Sequence, residues 1–585
     1  PMGARTVTGN RDGRGDVTRA MRRTPSRLVL AAALVLAAAA VGCSSDEGAG
    51  PPGPAGPDGK GARGTATTTE PRLDIDPRSY FEDYEVAAGD DMARSSGAPT
   101  AGAPAPAPTT TGGSQARSSA ESSGSADAST GADFDVAPPV EPVDPAITDD
   151  NTFVDPGANP FVATVEDAES TFGLDVDTGS FTVGRTFLDQ GLLPPAESVR
   201  VEEWVNAFGY DDEPPTAAEG SGEGDAAEGL AVSVEGAPAP FTDDGTQLVR
   251  VGVSAREVAK QDRPDAHITL VVDTSGSMDI RERLGLVRST LALLALELRD
   301  TDTVSVVTYS DTSRVLLPPT PAAEAEQIVG IIDQLVPQGS TNMEAGLRGG
   351  YEQARSTFDP DAINTVVLAS DGVANTGLTG TDPLSEFVRE QGVDGIRLVT
   401  VGYGMGNYND DLMEQLADRG DGFYSYVDTY EEAERLFTTE LTSTLTVVAE
   451  DAKAQVTFDP EAVESYRLIG YENRAIADDS FEDDTVDAGE LGAGHTVSAL
   501  YELRLADGGP DALGTVTLRH TPVGATRAVA QDVPLRRADL AGSWAEAAPG
   551  LRLAGGVATF AELLAGSPVS AERGVTLDRI AALDE

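Results

Sequence analysis

Short apolar segments alternate with longer helical segments between residues 266 and 445, and this alternation constrains the fold more than any other feature of the sequence. Strands buried on both faces of a parallel sheet consist of nearly continuous apolar residues. Segments of this kind lie at residues 268–272, 304–309, 365–369 and 396–401. Because strand-like and helical segments follow each other in turn, the sequence predicts a doubly wound, mostly parallel, Rossmann-like α/β domain.

The helical segments between these strands have apolar faces that suit packing on a sheet. In the first of them, residues 283–298, the side chains of Leu284, Val287 and Leu291 fall on one face. Much of the remaining surface of this segment is also apolar, so we expect the helix to be buried. The other predicted helices cover residues 322–335, 343–356, 383–390, 410–417 and 430–442.

Segments with different patterns flank the predicted α/β domain. Residues 159–255 combine helical and strand-like segments, which predicts an α+β module. Residues 446–585 have a two-residue apolar period interrupted by turn residues and end in helical patches, which predicts a β-rich module. The strand-like segments lie at 230–234, 248–253, 454–458, 497–503 and 514–519, and the helical ones at 181–190, 197–208, 557–564 and 576–583.

The pattern of residues 1–43 is typical of an export signal that follows a short upstream extension. Arginines at 22, 23 and 27 precede an apolar segment, residues 28–41, that is shorter than the roughly 20 residues of a membrane-spanning helix. The segment ends in Ala40-Val41-Gly42-Cys43, which resembles the bacterial lipobox, and Cys43 is the one cysteine of the sequence. We therefore expect lipidation at Cys43 and an extracytoplasmic protein anchored to the bacterial cell membrane. The alternative is an ordinary secretory signal with an incidental cysteine.

Residues 44–150 differ from the rest of the chain in composition. Glycine, proline, alanine, serine, threonine and acidic residues dominate, and clustered apolar side chains are rare. A segment of this composition buries too little apolar surface to offset the entropy of ordering. The sequence therefore predicts a disordered tether between the anchor and the folded modules.

The overall charge excludes some classes of partner and site. The sequence has 97 acidic and 41 basic residues, a formal net charge of -56, so nucleic acid is not expected as a partner. With three histidines and one cysteine, the chain also lacks the residues for a Cys/His zinc cluster or a disulfide bond.

Oxygen-bearing side chains follow the first and third predicted strands and precede one of the predicted helices. The first strand leads into Asp273, Ser275 and Ser277, with Gly276 between the two serines. Thr341 stands just ahead of the helix predicted at 343–356, and Asp371 follows the strand predicted at 365–369. Because doubly wound sheets bind ligands beyond the carboxyl ends of their strands, we expect these side chains to converge. Two carboxylates and three hydroxyls form an oxygen-only donor set that suits Mg²⁺, or else Mn²⁺ or Ca²⁺.

These residues match the metal-ion-dependent adhesion site (MIDAS) of von Willebrand factor type A (VWA) domains. Residues 159–161, 171–178 and 193–203 resemble the N-terminal module of a bacterial family of VWA-containing lipoproteins, and residues 466–474 resemble its C-terminal module. The resemblance implies a surface-anchored adhesion or scaffold protein without catalytic activity. It also implies that an unknown protein partner offers an Asp or Glu to the metal, and that displacement of the last VWA helix changes the affinity of the site.

Two rival functions remain open. The sequence Asp175-Val176-Asp177-Thr178-Gly179-Ser180 resembles both an acid protease signature and a phosphatase nucleophile motif. The first would need a second Asp-Thr-Gly, and the second would need its threonine one place later, after a buried strand. A turn or helix cap is the simpler interpretation of Asp175 and Asp177. A metal-independent envelope scaffold is the other alternative.

Overall fold

The computed structural model describes residues 73, 75–86, 151–174, 177–215, 229–392, 395–484, 486 and 488–583. Residues Ser79–Glu82 form a single helical turn, α1. The export signal, Cys43 and most of the predicted tether lie outside these ranges. The prediction of a disordered tether is wrong for residues 75–86, because their aromatic side chains pack against the core of the α/β domain.

The N-terminal part of the folded chain contains four strands and two helices. They are β1 (Val162–Ala163), β2 (Glu169–Gly173), α2 (Gly179–Asp189), α3 (Val201–Asn206), β3 (Leu230–Pro238) and β4 (Gln247–Ala255). Helix α2 packs closely on α3, where a Cβ atom added to Gly184 would lie 2.2 Å from the indole of Trp204. The absence of a side chain at Gly184 therefore makes this contact possible.

The predicted α/β domain is confirmed. Its elements are β5 (Ala266–Asp273), α4 (Leu286–Glu297), β6 (Thr303–Tyr309), β7 (Ser313–Pro321), α5 (Ala325–Val329), α6 (Met343–Ser356), β8 (Ile363–Ser370), α7 (Thr381–Gly392), β9 (Arg397–Tyr403), α8 (Asp410–Asp418), β10 (Tyr424–Val427), α9 (Tyr430–Glu434) and α10 (Leu441–Leu445). The six-stranded sheet has the order β10-β9-β8-β5-β6-β7, and only β7 runs antiparallel to its neighbour. Every residue of the central strand β8 is buried, as expected for a strand covered on both faces.

Some elements of this domain differ from the predicted ones. Strand β7 was not predicted because it contains three prolines, and prolines are tolerated there because β7 is an edge strand. The predicted helix at 322–335 is broken into α5 and two 3₁₀ turns. The first helix begins with a π-helical turn, Arg281–Gly285, and a second π-helical turn, Arg435–Thr439, follows α9. π-Helical turns inside helices are often found at functional sites.

The C-terminal part of the chain contains six strands followed by three helices. They are β11 (Val447–Phe458), β12 (Val463–Ile469), β13 (Leu491–Gly492), β14 (Thr496–Leu505), β15 (Ala512–Pro522), β16 (Val529–Arg536), α11 (Pro549–Ala565), α12 (Pro568–Glu572) and α13 (Leu577–Ala581). The strands form one sheet of order β1-β12-β14-β4-β3 and another of order β13-β11-β15-β16, in which β2 also pairs with β11. Both sheets therefore contain strands from before and after the α/β domain.

This pairing corrects the predicted division into two flanking modules. Strand β4 pairs with β14 from Gln247 to Ser254, and β2 pairs with β11 from Glu169 to Gly173. All but the first residue of β4 are buried, so this strand needs neighbours on both edges and both faces. The two predicted modules are thus one β-domain, and the α/β domain is inserted between its strands.

In the part of the chain that the structure describes, no helix is both long enough and apolar enough to cross a membrane.

Candidate metal centre

The loop after β5 is held in shape by its own hydrogen bonds. The backbone amide of Ser275 donates to Oδ1 of Asp273 at 2.8 Å, and the hydroxyls of Ser275 and Ser277 lie 3.0 Å apart. Asp273 and Ser275 are buried, with 0% and 1% of their surface exposed. The predicted ligands Asp273, Ser275 and Ser277, which alternate along the chain, therefore lie close together.

Thr341 lies in a second loop, which contacts both of the others. The amide of Gln338 donates to the carbonyl of Thr274 at 2.6 Å, and the amide of Gly276 donates to the carbonyl of Gly339 at 3.3 Å. Thr341 in turn accepts, at its carbonyl, the amide of Asn375 at 2.9 Å. These bonds place Thr341 between the loop after β5 and the loop after β8.

Asp371 follows β8 and is paired with a buried arginine. Nη1 of Arg283 donates to Oδ2 of Asp371 at 2.6 Å and to the carbonyl of Ser277 at 2.9 Å. Nη2 of the same guanidinium donates to the carbonyl of Met405 at 3.0 Å. Arg283 belongs to the π-helical turn before α4 and was not predicted as a site residue. Arg283 is the first residue of the helix predicted at 283–298, and a charged residue at that position is not a specific signal for a site.

The other oxygen of Asp273 is held by two further hydroxyls. Tyr309, at the end of β6, donates to Oδ2 of Asp273 at 3.2 Å, and Ser370, at the end of β8, donates to the same atom at 2.9 Å. Both strands are direct neighbours of β5 in the sheet. Neither residue is among the predicted site residues, although Tyr309 ends the strand predicted at 304–309 and Ser370 follows the strand predicted at 365–369.

The charged groups at this site are two carboxylates and one guanidinium. Asp273 and Asp371 are both fully buried, and burial together with the negative charge of Asp371 raises the pKa of Asp273 to about 7. Arg283 supplies one positive charge against the two carboxylates. Among the described residues no group of three or more His, Cys, Asp or Glu side chains could hold a metal, so a cation here would also need the hydroxyl donors. The donor set fits a hard ion such as Mg²⁺.

The residues of the rival motif have other contacts. Both oxygens of Asp177 are engaged: Oδ1 accepts the backbone amide of Tyr424 at 2.7 Å, and Oδ2 accepts Nη2 of Arg474 at 2.9 Å. Asp175 lies outside the described residues. Asp177 thus joins the α/β domain to the β-domain, which accords with a structural role.

The loop after β5, the loop around Thr341 and the loop after β8 carry the predicted ligands, and we call them the metal loops. A buried ion cluster lies beside them. We call Arg200, Glu203, Asp410 and Glu414 the Arg200 cluster; its guanidinium contacts Asp410 at 2.6 Å and Glu414 at 3.3 Å and also bonds Glu203. Asn409, which caps helix α8 just before Asp410, donates its backbone amide to the carbonyl of Asp371 at 3.3 Å. The cluster therefore connects the β-domain to the start of α8 and, through Asn409, to the metal loops.

Comparison with known proteins identifies three matching regions. Residues 147–250 match the family model described as von Willebrand factor, residues 267–439 match the von Willebrand factor type A domain, and residues 443–512 match the C-terminal region of the uncharacterized protein YfbK. The second match covers the α/β domain from β5 into the π-helical turn Arg435–Thr439.

Similar proteins occur in Escherichia coli and in Synechocystis. The chain is 41% identical over 351 residues to the uncharacterized protein YfbK of Escherichia coli strain K12, which covers 59% of this chain and 60% of that protein. It is 25% identical over 189 residues to the uncharacterized protein sll0103 of Synechocystis, covering 32% and 44%. Both matches span less than two thirds of the relative's length.

A solved von Willebrand factor type A structure from Catenulispora acidiphila superposes with a TM-score of 0.35 at 15% identity, covering 53% of this chain and 73% of that one. Residues 267–439 therefore match a von Willebrand factor type A domain, and the region that follows is similar to the C-terminal region of YfbK.

Proposed function

We propose that this protein is anchored at the bacterial surface and binds another protein through a divalent cation held by Asp273, Ser275, Ser277, Thr341 and Asp371. The VWA domain itself supports an interaction or adhesion-type role. The observation that carries the finer proposal is the pair of fully buried carboxylates, Asp273 and Asp371, at the ends of neighbouring parallel strands beside three hydroxyl residues. Buried carboxylates of this kind are costly unless a cation neutralises them.

The charges suggest which ligand the loaded site prefers. Two carboxylates and the guanidinium of Arg283 together carry one negative charge, so a divalent cation would leave one net positive charge. When bound, the ion supplies an open coordination position for an oxygen ligand. A carboxylate from the partner, an Asp or Glu, suits that charge. Arg283 fixes the orientation of Asp371, while Tyr309 and Ser370 fix that of Asp273.

Isothermal titration with Mg²⁺ tests the metal site. Titration of the wild-type chain is expected to give a binding heat that saturates. The Asp273→Asn and Asp371→Asn variants are expected to lose this signal. Asp359→Asn is the matched control, because Asp359 is an exposed carboxylate just before β8, at the opposite end of that strand from Asp371, where it accepts the amide of Asp361 at 3.0 Å. Mg²⁺ at 100 times its dissociation constant should also stabilise the wild type by about 2.7 kcal/mol.

The outcomes separate the proposed function from its rivals. Equal heats for wild type and Asp273→Asn, or no heat at all, would contradict the metal site and favour a metal-independent scaffold. Turnover of a casein or phosphate-ester substrate, lost in Asp177→Asn, would favour a hydrolase. Capture of a partner by the immobilised chain in Mg²⁺, abolished by chelator and by Asp371→Asn, would support the proposed function.

The anchor is tested separately. Cells expressing the full chain are expected to incorporate a labelled fatty acid into it and to retain it in the membrane fraction. The Cys43→Ala variant should lose the label and appear in the soluble fraction. An unlabelled, soluble wild type would contradict lipidation at Cys43.

A further inference from the structure

Residues 75–86 lie on the surface of the VWA domain in a groove next to the metal loops. We call them the docked segment. The side chains of Ile75, Tyr80, Phe81 and Tyr84 pack against the apolar cluster on the α4 side of the sheet. Helix α1 of the segment contacts both α4 and the π-helical turn Arg281–Gly285. Aromatic residues thus anchor a short peptide from a distant part of the sequence.

The polar contacts of the segment link two separate parts of the domain. Tyr84 donates its hydroxyl to Oδ1 of Asp279 at 3.0 Å, in the chain just after the metal loop. At the other end, Arg78 forms an ion pair with Glu431 at 2.8 Å and stacks over the ring of Tyr430 at 4.2 Å. The segment therefore bridges the metal-loop side of the domain and the start of α9.

The groove selects for aromatic side chains. Arg281 lies over the ring of Phe81 at 4.9 Å, and Arg288 lies over the ring of Tyr84 at 5.1 Å. Gly285 leaves room for Tyr84, since a Cβ atom added there would lie 3.2 Å from Cβ of Tyr84. Two arginines and a glycine in the groove therefore face two aromatic residues of the segment.

The docked segment and the candidate metal centre lie on opposite sides of the turn Arg281–Gly285, and this turn contacts both. Arg283, in the middle of Arg281–Gly285, bonds Asp371, while Arg281 and Gly285 of the same turn contact the segment. Helix α9, held by Arg78, packs on α4 and leads into the second π-helical turn. A change at the docked segment would thus reach both the metal loops and the last helices of the domain.

We propose that the docked segment is a detachable internal ligand of this groove, and that its docking restrains α9 and the turn Arg281–Gly285 and so regulates the metal centre. The second half of this statement rests on the proposed function; the docking does not. No residue of α1 is fully buried, and its contacts are with α4 and the turn Arg281–Gly285 on the surface of the domain, so the segment can leave while the strands of the sheet stay paired. Local opening of this kind requires the loss of the side-chain contacts described above and of the hydrogen bond from the hydroxyl of Ser289 to the carbonyl of Pro77 at 2.8 Å.

A labelled synthetic peptide with the sequence of residues 73–86 tests the docking. It is expected to bind the full chain carrying Tyr80→Ala and Phe81→Ala at least about tenfold more tightly than it binds the wild type, because the native segment competes at high effective concentration. Asp83→Asn is the control, since Asp83 is exposed and its carboxylate forms no hydrogen bond or ion pair with the described residues of the groove; it should behave as wild type. A peptide that binds neither chain, or both equally, would overturn the proposal.

Hydrogen exchange on the wild-type chain gives a second measurement that needs no variant. Amides of residues 79–84 are expected to exchange much faster than those of β8, as in local opening. Exchange as slow as that of β8, or global unfolding of the Tyr80→Ala, Phe81→Ala chain, would mean that the segment is an integral part of the domain and would overturn its detachability.

The regulatory half is tested by Mg²⁺ affinity and by exchange at 281–285 and 430–439. Release of the segment should speed exchange in both regions and change the Mg²⁺ dissociation constant at least about threefold. Unchanged exchange and affinity despite peptide binding would refute the regulation. Peptide binding without any Mg²⁺ binding would leave the docking intact but contradict the proposed function, whereas Mg²⁺ binding without peptide binding would do the reverse.

Discussion

Replacing Arg200 by methionine would remove the central cation of the Arg200 cluster, which joins the β-domain to helix α8. Arg200, Glu203 and Asp410 are 3%, 3% and 1% exposed, so water cannot take the place of the guanidinium. Removing one partner from a buried ion pair costs about 3–5 kcal/mol, because the remaining charge stays buried without compensation. Methionine keeps most of the aliphatic volume, which limits the additional cost of a cavity.

The remaining contacts place the expected loss at the lower end of that range. Glu203 keeps the amide of Ser180 at 2.7 Å, and Asp410 keeps the hydroxyl of Tyr424 at 2.6 Å. Glu414 keeps Asn473 at 2.9 Å and Arg474 at 3.2 Å. We therefore expect the free energy of unfolding to fall by about 3 kcal/mol at pH 7.

The loss should depend on pH in a definite direction. Burial raises the pKa of Glu414 to about 8 and also raises that of Glu203, while Arg200 opposes both shifts. A carboxyl group whose pKa is raised in the folded state contributes stability below its unfolded pKa of 4.5, and this contribution is lost as the pH rises through the folded pKa. Without Arg200 both folded pKa values rise further, and for Glu414 the two chains differ only above the wild-type folded pKa, so the deficit of the variant should be larger at about pH 9.5 than at pH 5.

Urea unfolding followed by tryptophan fluorescence measures this effect, since Trp204 lies in α3, four positions after Arg200. The control is Arg389→Met, which breaks an exposed pair with Glu386 in which both side chains are 58% exposed, and it should change stability by at most about 0.5 kcal/mol. A loss below about 1 kcal/mol for Arg200→Met, or an equal deficit at pH 5 and about pH 9.5, would refute the reasoning.

Two further predictions concern the metal centre and the acid stability of the β-domain. Tyr309→Phe removes a hydroxyl that donates to Asp273 and should weaken Mg²⁺ binding about tenfold in calorimetry. The control is Tyr351→Phe, which removes a buried hydroxyl without a partner in the described structure and should change the Mg²⁺ affinity less than about twofold. Equal effects of the two substitutions would contradict the role of Tyr309. Burial lowers the pKa of His520 to about 4, so the unfolded chain takes up a proton as the pH falls below 6.5 and the folded chain does not. The wild type should therefore lose about 2 kcal/mol more stability than His520→Phe between pH 7 and pH 4.5 in urea titrations, and identical losses would count against this explanation.

The sequence by itself determined the features that depend on neighbouring residues. Apolar runs and helical periods are local patterns. The four strands predicted for the α/β domain therefore correspond to β5, β6, β8 and β9, and the helix predicted at 343–356 has the same bounds as α6. The candidate ligands were also found from sequence, because each follows a recognisable strand or precedes a recognisable helix. That they bind a metal stays a prediction.

Only the tertiary structure decided what depends on contacts between distant residues. Periodicity identifies a strand but not its neighbour, so nothing in the sequence pairs β4 with β14 across the inserted VWA domain. In the same way, Arg283 is the first residue of a predicted helix, and only the fold brings its guanidinium to Asp371, 88 residues later in the chain. The composition of residues 44–150 predicts disorder for the segment as a whole. Tyr80, Phe81 and Tyr84 nevertheless pack against apolar residues of the VWA domain, which lie far away in the sequence. Burial against distant residues, which local composition does not encode, decided each of these outcomes.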